Sequence, residues 1–291
     1  MLCIIFCAPE ALAQSLQDDV QFLCDSLRTG RRYGTRGVVD AAFWVQHEFE
    51  SMGLKTDVQH YRSSGKAGHN VRGLLRSPGS GKYIIVMACM DGVGTYDDMV
   101  YPGADANASG LAALVALARS MTAQACGSGK WLKNGKPSRN VLFVALDGHN
   151  DHSSGAAALW DSLSGLGISR SDILMVVNLD TMGSNLAPPQ RYWKDYLIIL
   201  GGGRYENAIA SCNSGLGLHL YYDYYDSRSF TNMFYRKVGD QAVFVSNGVP
   251  SVMVTSGITM NTNKAGDLPA TLSYDLLERR IELVRRWILG L

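Results

Sequence analysis

The chain has 291 residues, 46% of them hydrophobic, enough for a large buried core in one α/β domain, although length alone also permits two. Lys and Arg number 27 against 26 Asp and Glu, a formal charge of +1, and no basic run is interleaved with aromatics. That balance argues against nucleic acid as a partner.

The N-terminal stretch MLCIIFCAPEALAQSL joins an apolar run to Ala11-Leu12-Ala13, the small-x-small pattern of signal-peptide cleavage, and the run is too short to span a bilayer. No basic segment precedes it, since the first Lys or Arg is Arg28. The expectation is an exported chain, periplasmic or extracellular, with residues 1–13 as signal peptide and 14–291 as a single domain. A buried N-terminal strand is the alternative. Cleavage would remove Cys3 and Cys7 and leave Cys24, Cys89, Cys126 and Cys212, scattered without C-x-x-C spacing. An oxidising compartment permits a disulfide among them, with no pairing set by the spacing.

Val38, Ala41, Ala42, Val45, Phe49 and Met52 then recur at helical spacing, and Gly53 follows where a C-terminal cap belongs. KTDVQHY (55–61) alternates, and SPGSG (77–81) reads as a turn. KYIIVMAC (82–89) is a continuous apolar run, as expected of a strand buried on both faces. ASGLAALVALARSM (108–121), apolar almost all round, predicts an interior helix, and ACGSGKWLKNGKPS (125–138) predicts a polar loop. Further buried strands are expected at 140–146, 174–179, 196–200 and 251–255. A last helix sets Leu277, Ile281, Val284 and Ile288 on one face, with Arg285 and Arg286 near the end where the helix dipole favours cations. No later stretch reaches transmembrane length without charges or glycines, so no membrane span is expected.

Apolar strands alternating with helices predict an α/β fold, a mostly parallel central sheet flanked by helices on both faces. Ligands in such sheets bind beyond the carboxyl ends of the strands. That rule selects Cys89-Met90-Asp91, Asp147 to Asn150, Asp180, and the loop after Thr255.

From about Leu23 onward the chain resembles the zinc-dependent aminopeptidases of the bacterial leucyl aminopeptidase type, whose wider superfamily includes glutamate carboxypeptidases, glutaminyl cyclases, the transferrin receptor and nicastrin. The resemblance rests on ordered segments: GTRGVVDAAFWVQHEFESMGL (34–54), NVRG (70–73), IIVMACMDGVG (84–94), PGADANASGLAALVALAR (102–119), RNVLFVALDGHNDHSSGA (139–156), VVNLDTMGS (176–184) and NGVPSVMVTSG (247–257). It implies the family's three-layer sandwich. Active members hold two zinc ions about 3.5–4 Å apart, with two His, a bridging Asp, a Glu and a second Asp, while a further Glu is the general base.

Carried over position by position, the first His of the His-x-Asp motif falls on Cys89, with Asp91 kept. The bridging Asp falls on Ala106. The tandem Glu-Glu after Asp-Gly becomes His149 at the base position and Asn150 at the ligand position. Asp180 is retained, and the last His falls on Asn263, with Asn261 the next alignment. The resemblance therefore implies a metal site with one ligand of five and no base. Losing a general base alone costs about 10²–10⁴-fold in rate. Without the bridging carboxylate, two dications would repel each other with nothing between them.

The expectation is a catalytically inactive peptidase homologue without cofactor, serving as a binding or scaffolding module for a peptide or protein. The alternative is a hydrolase or aminopeptidase rebuilt on Cys89, His149 and Asp180, either as a single-zinc site or as a thiol nucleophile. Asp105, beside the lost bridging position, is expected as a solvated loop residue, and His152 as a surface histidine opening a helix. HLYYDYYDSRSFTNMFYRKVGD (219–240) is dense in Tyr, Asp and Arg, residue types favoured in recognition surfaces, so Tyr221, Tyr222, Tyr224, Tyr225 and Arg228 form a candidate binding face. Equally, the segment only covers the sheet.

Overall fold

A computed structural model, describing residues 9–77, 79–128 and 139–291, gathers the expected apolar strands into one eight-stranded sheet. In chain order the elements are α1 (Pro9–Cys24), α2 (Arg36–Ser51), β1 (Lys55–Ser63), β2 (Lys66–Leu75), β3 (Tyr83–Cys89), a small hairpin of β4 (Gly94–Tyr96) and β5 (Met99–Tyr101), and α3 (Gly110–Ser128). They continue with β6 (Asn140–Leu146), α4 (Ser154–Ser162), β7 (Ile173–Leu179), β8 (Tyr196–Leu200), α5 (Glu206–Cys212), β9 (His219–Tyr221), α6 (Arg228–Met233), α7 (Gln241–Ser246), β10 (Ser251–Thr255) and α8 (Tyr274–Gly290).

The sheet order is β1-β2-β6-β3-β7-β10-β8-β9. The four central strands β6, β3, β7 and β10 are parallel, as is the outer pair β8/β9, while β1/β2, β2/β6 and β10/β8 are antiparallel. The central strands are almost wholly apolar, Asn140, Asn178, Ser251 and Thr255 excepted, because both their faces are covered. Ile84, Val86 and Ala88 point to the face packed by α1, α2, α3, α5 and α8. Ile85 and Met87 point to the other, under α4 and α7. This is the expected three-layer arrangement. The first and last helices also meet: α1 packs on α8 and α3, with Leu16, Val20 and Leu23 fully buried.

Two expectations shift, and a third lies mostly outside the described residues. Residues 125–128, read as loop, continue α3, and 129–138 lie outside the described residues. Most of the expected leader, residues 1–8, also lies outside them, and the expected cleavage point after Ala13 falls on α1. Residues 149–153 make turns ahead of α4, so His152, exposed and at positive φ, precedes that helix rather than opening it. No helix among the described residues is long and apolar enough to cross a membrane. Cys24 and Cys89 are free thiols, and the side chain of Cys126 lies outside the described residues.

Strand ends are tied together by a buried arginine. Arg31, 1% exposed, donates from Nε to the Met90 carbonyl (3.0 Å), from Nη1 to those of Leu23 (2.6 Å) and Pro102 (2.9 Å), and from Nη2 to Gly103 (3.0 Å). One side chain thus joins α1, the exit of β3 and the loop before α3.

Candidate functional site

Beyond the carboxyl ends of the parallel strands lies a hollow of about 90 Å³. Cys89, Asp91, Ala106, His149, Asn150, Asp180 and Asn263 all line it, although they come from five separate stretches of sequence. Register explains the convergence. Cys89 pairs with Leu146, so the 147–150 turn starts one residue beyond it, and the pairing of Met87 with Asn178 brings Asp180 level with Cys89.

The turns around the hollow are fixed by carboxylates and amides that face main chain. Asp91, 1% exposed, accepts from the amide of His149 (2.8 Å) and from both the amide (3.0 Å) and the side-chain Nδ2 (3.1 Å) of Asn150. Asp147, fully buried, accepts from the amides of His69 (3.1 Å) and Gly148 (2.8 Å). Asn70, from the NVRG segment, accepts from the Asp147 amide (3.0 Å) and donates to the Gly155 carbonyl (2.8 Å). Asn107 donates from Nδ2 to the carbonyls of Cys89 (3.3 Å) and Leu179 (3.0 Å) and to Cys89 Sγ (3.4 Å), and accepts from the Thr181 amide (2.9 Å). It bridges the ends of β3 and β7. Asp105 is not a solvated loop residue; it is 3% exposed, and its Oδ1 accepts from Gly183 (2.7 Å) and Ser184 (3.2 Å). Asp267 in turn accepts from the amides of Asp105 (2.8 Å) and Ala106 (3.0 Å).

Burial sets the electrostatics. Desolvation, the largest cause in each case, raises the carboxyls of Asp91, Asp105 and Asp180, takes Asp147 to about 7, and lifts the Cys89 thiol well above its ordinary value. His149 goes up to about 10 because the Asp240 carboxylate faces its ring, Nδ1 to Oδ2 at 3.0 Å. Asp240, 1% exposed, sits at the start of α7. It closed the Tyr-rich segment in the sequence, yet only its tyrosines and Arg228 had a compositional signal. Nothing in its spacing marks it as a partner of a residue 91 positions earlier.

Cys89, His149 and Asp240 each offer a donor atom lying within 4.8 Å of the other two. Asp180 borders the same hollow without joining that cluster, so the third member expected beside Cys89 and His149 is replaced by Asp240. The tyrosine segment divides. Tyr224, 1% exposed, lines the hollow, stacks on Phe234 (4.6 Å between ring centres) and accepts from the Ile258 amide (2.7 Å). Tyr221 and Tyr222 are half-buried with their hydroxyls turned inward, Tyr225 donates to the Ala187 carbonyl (2.8 Å), and Arg228 is exposed at the start of α6. Of these five residues only Tyr224 reaches the hollow.

Residues 70–288 match the family model of peptidase family M28. The chain belongs to that family. The structural likenesses show a shared fold. A zinc aminopeptidase from Bacillus subtilis superposes with a TM-score of 0.73 at 12% identity, covering 96% of this chain and 95% of that one. A glutaminyl cyclase from Fimbriiglobus ruber gives 0.70 at 18% identity, covering 95% and 94%. Among curated proteins, the alkaline phosphatase isozyme conversion protein of Escherichia coli (strain K12) is 29% identical over 171 residues, 53% of this chain. The match spans about half of that relative's length, 47%.

The M28 resemblance brings a test of whether these residues suit a pair of zinc ions. Ala106 offers a methyl group where a bridging carboxylate is needed. Asn150 offers a neutral amide whose nitrogen is already engaged by Asp91. Asn263 is exposed and neutral. Two dications about 3.5–4 Å apart need negative charge between them, and these donors do not fit the pair.

Proposed function

We propose that this M28 homologue does not carry out di-zinc peptide hydrolysis and that its hollow serves to bind a peptide or protein. The observation that carries the reading is Ala106, which lines the hollow at the bridging position without any donor atom. The hydrogen-bonded turns at 147–150 support the second half, because they give the hollow a fixed shape on which recognition can be built. The Escherichia coli relative is named for the conversion of alkaline phosphatase isozymes. That supports a polypeptide as the ligand class rather than a nucleic acid.

The test combines metal content with turnover. Chain purified without chelator is expected to contain fewer than two zinc ions and to leave aminoacyl-anilides intact. Two ions per chain together with turnover would overturn the proposal. We also propose export to the periplasm or beyond, on the strength of the apolar run and Ala11-Leu12-Ala13. Fractionation of cells producing the full-length chain, with N-terminal sequencing of the product, checks it; an uncleaved cytoplasmic chain is the contrary result.

A further inference from the structure

We infer that Cys89, His149 and Asp240 form a site for one zinc-like divalent ion, distinct in ligands from the paired site of the family. Three observations converge on it. The donor atoms lie within 4.8 Å of one another, and ligands of a tetrahedral zinc ion stand roughly 3.3–3.8 Å apart, given bonds of about 2.0–2.3 Å. Small movements close the remaining gap. The donor types agree, because thiolate, imidazole and carboxylate together suit zinc or cobalt and discriminate against magnesium and calcium, which take oxygen ligands. One thiolate and one carboxylate also balance the charge of one dication.

The third observation is an orphan. Asp240 is 1% exposed, its Oδ2 faces His149, and its Oδ1 is buried without a hydrogen-bond partner. A buried carboxylate oxygen left unpaired is costly, and a coordinated cation satisfies it. The cluster is reached from the hollow, which Cys89 and His149 line. Coordination deprotonates the thiol and the imidazole, and both protons leave to solvent. The ion is single because no other described Cys, His, Asp or Glu group of three or more brings its donors together.

The inference goes beyond the proposed function, and the two fail separately. Chelator-stripped full-length chain is titrated with Co²⁺ while the near-ultraviolet thiolate-to-cobalt charge-transfer band is followed, and zinc stoichiometry is measured by equilibrium dialysis. Expected are one ion per chain and a thiolate band. Cys89→Ser should abolish the band and Asp240→Asn should weaken binding at least about tenfold, while His60→Ala, at the exposed His60–His69 pair, should change neither. No bound ion, or cobalt bound without the thiolate band, overturns the inference using the unmodified chain alone, so a misfolded variant cannot shield it. Binding lost in His60→Ala and kept in Cys89→Ser places the ion on the surface histidines and overturns it too. Zero ions leave the proposed function intact; two ions with turnover overturn both.

Discussion

Asp91→Ala tests what holds the 147–150 turn in place. The carboxylate accepts three hydrogen bonds, two of them from the successive amides of His149 and Asn150. Hydrogen bonds to charged groups contribute about 1.5–3 kcal/mol each. The amides are only partly buried, so water recovers part of that loss, and three bonds at the low end give about 4.5 kcal/mol. Removing the carboxylate also removes its own burial cost, the cause of its raised pKa. A net loss of about 2–3 kcal/mol remains, which at about 2–4 °C per kcal/mol lowers the melting temperature by roughly 4–12 °C. Calorimetry measures the shift, and hydrogen exchange read at residues 149 and 150 localises it. Asp91→Asn, which keeps one acceptor but points an amide NH₂ at the donors, should not restore protection. A melting shift under about 1 °C with both amides still protected would refute the assignment of Asp91 as the anchor of the turn.

The pH dependence of stability has a definite sign. Burial raises Asp19 and Asp267 to about 6 and Asp147 to about 7, above the unfolded value, so between about pH 4 and 7 the folded chain binds more protons. Stability should fall as pH rises through that window and keep falling toward about pH 10, because His149, raised to about 10 by Asp240, holds its proton there only in the folded chain; urea midpoints that rise between about pH 4 and 7 would contradict the reading. Arg31→Met leaves four carbonyls without their guanidinium and should cost about 3 kcal/mol or more by urea denaturation, while a loss under about 1 kcal/mol would argue against the clamp. At Gly155 an added Cβ would stand 1.9 Å from the Asp147 carbonyl oxygen, a main-chain clash, so Gly155→Ala should cost about 3 kcal/mol or fail to fold; near-parental stability would be the contrary outcome. Tyr224→Phe strips the Ile258 amide of its acceptor and should cost about 1–2 kcal/mol, read from the same denaturation curves.

The centre of the fold was legible because burial on both faces leaves a strand almost wholly apolar. The runs at 82–89, 140–146, 174–179, 196–200 and 251–255 correspond to β3, β6, β7, β8 and β10 within a residue. Seven site positions carried over from one resemblance came together on a single hollow, since parallel register is what makes strand ends meet. What the sequence hid were partnerships across long separations. Asp240 gains its meaning from the His149 ring, and Asp105 chiefly from partners far along the chain, the amides 78 and 79 positions later and the Ser256 hydroxyl. Composition left Tyr224 between a binding face and a cover for the sheet; in the structure its ring stacks on Phe234, its hydroxyl has a main-chain donor, and it lines the hollow. The helix α1 was masked by its leader-like neighbours, for its Leu16, Val20 and Leu23 carry the same helical periodicity as α2.

The contact of α1 with α8 sets a timetable for biosynthesis. Some 250 residues separate the end of α1 at Cys24 from the start of α8 at Tyr274. At about 5–20 residues per second, a ribosome needs roughly 12–50 s to deliver the second helix after the first. Throughout that interval Leu16, Val20 and Leu23 have no α8 to lie against. Until that last seventeen-residue helix appears, the face of α1 that meets α8 is covered by nothing but earlier neighbours such as α3. Truncation ahead of Tyr274 would leave that face uncovered for good.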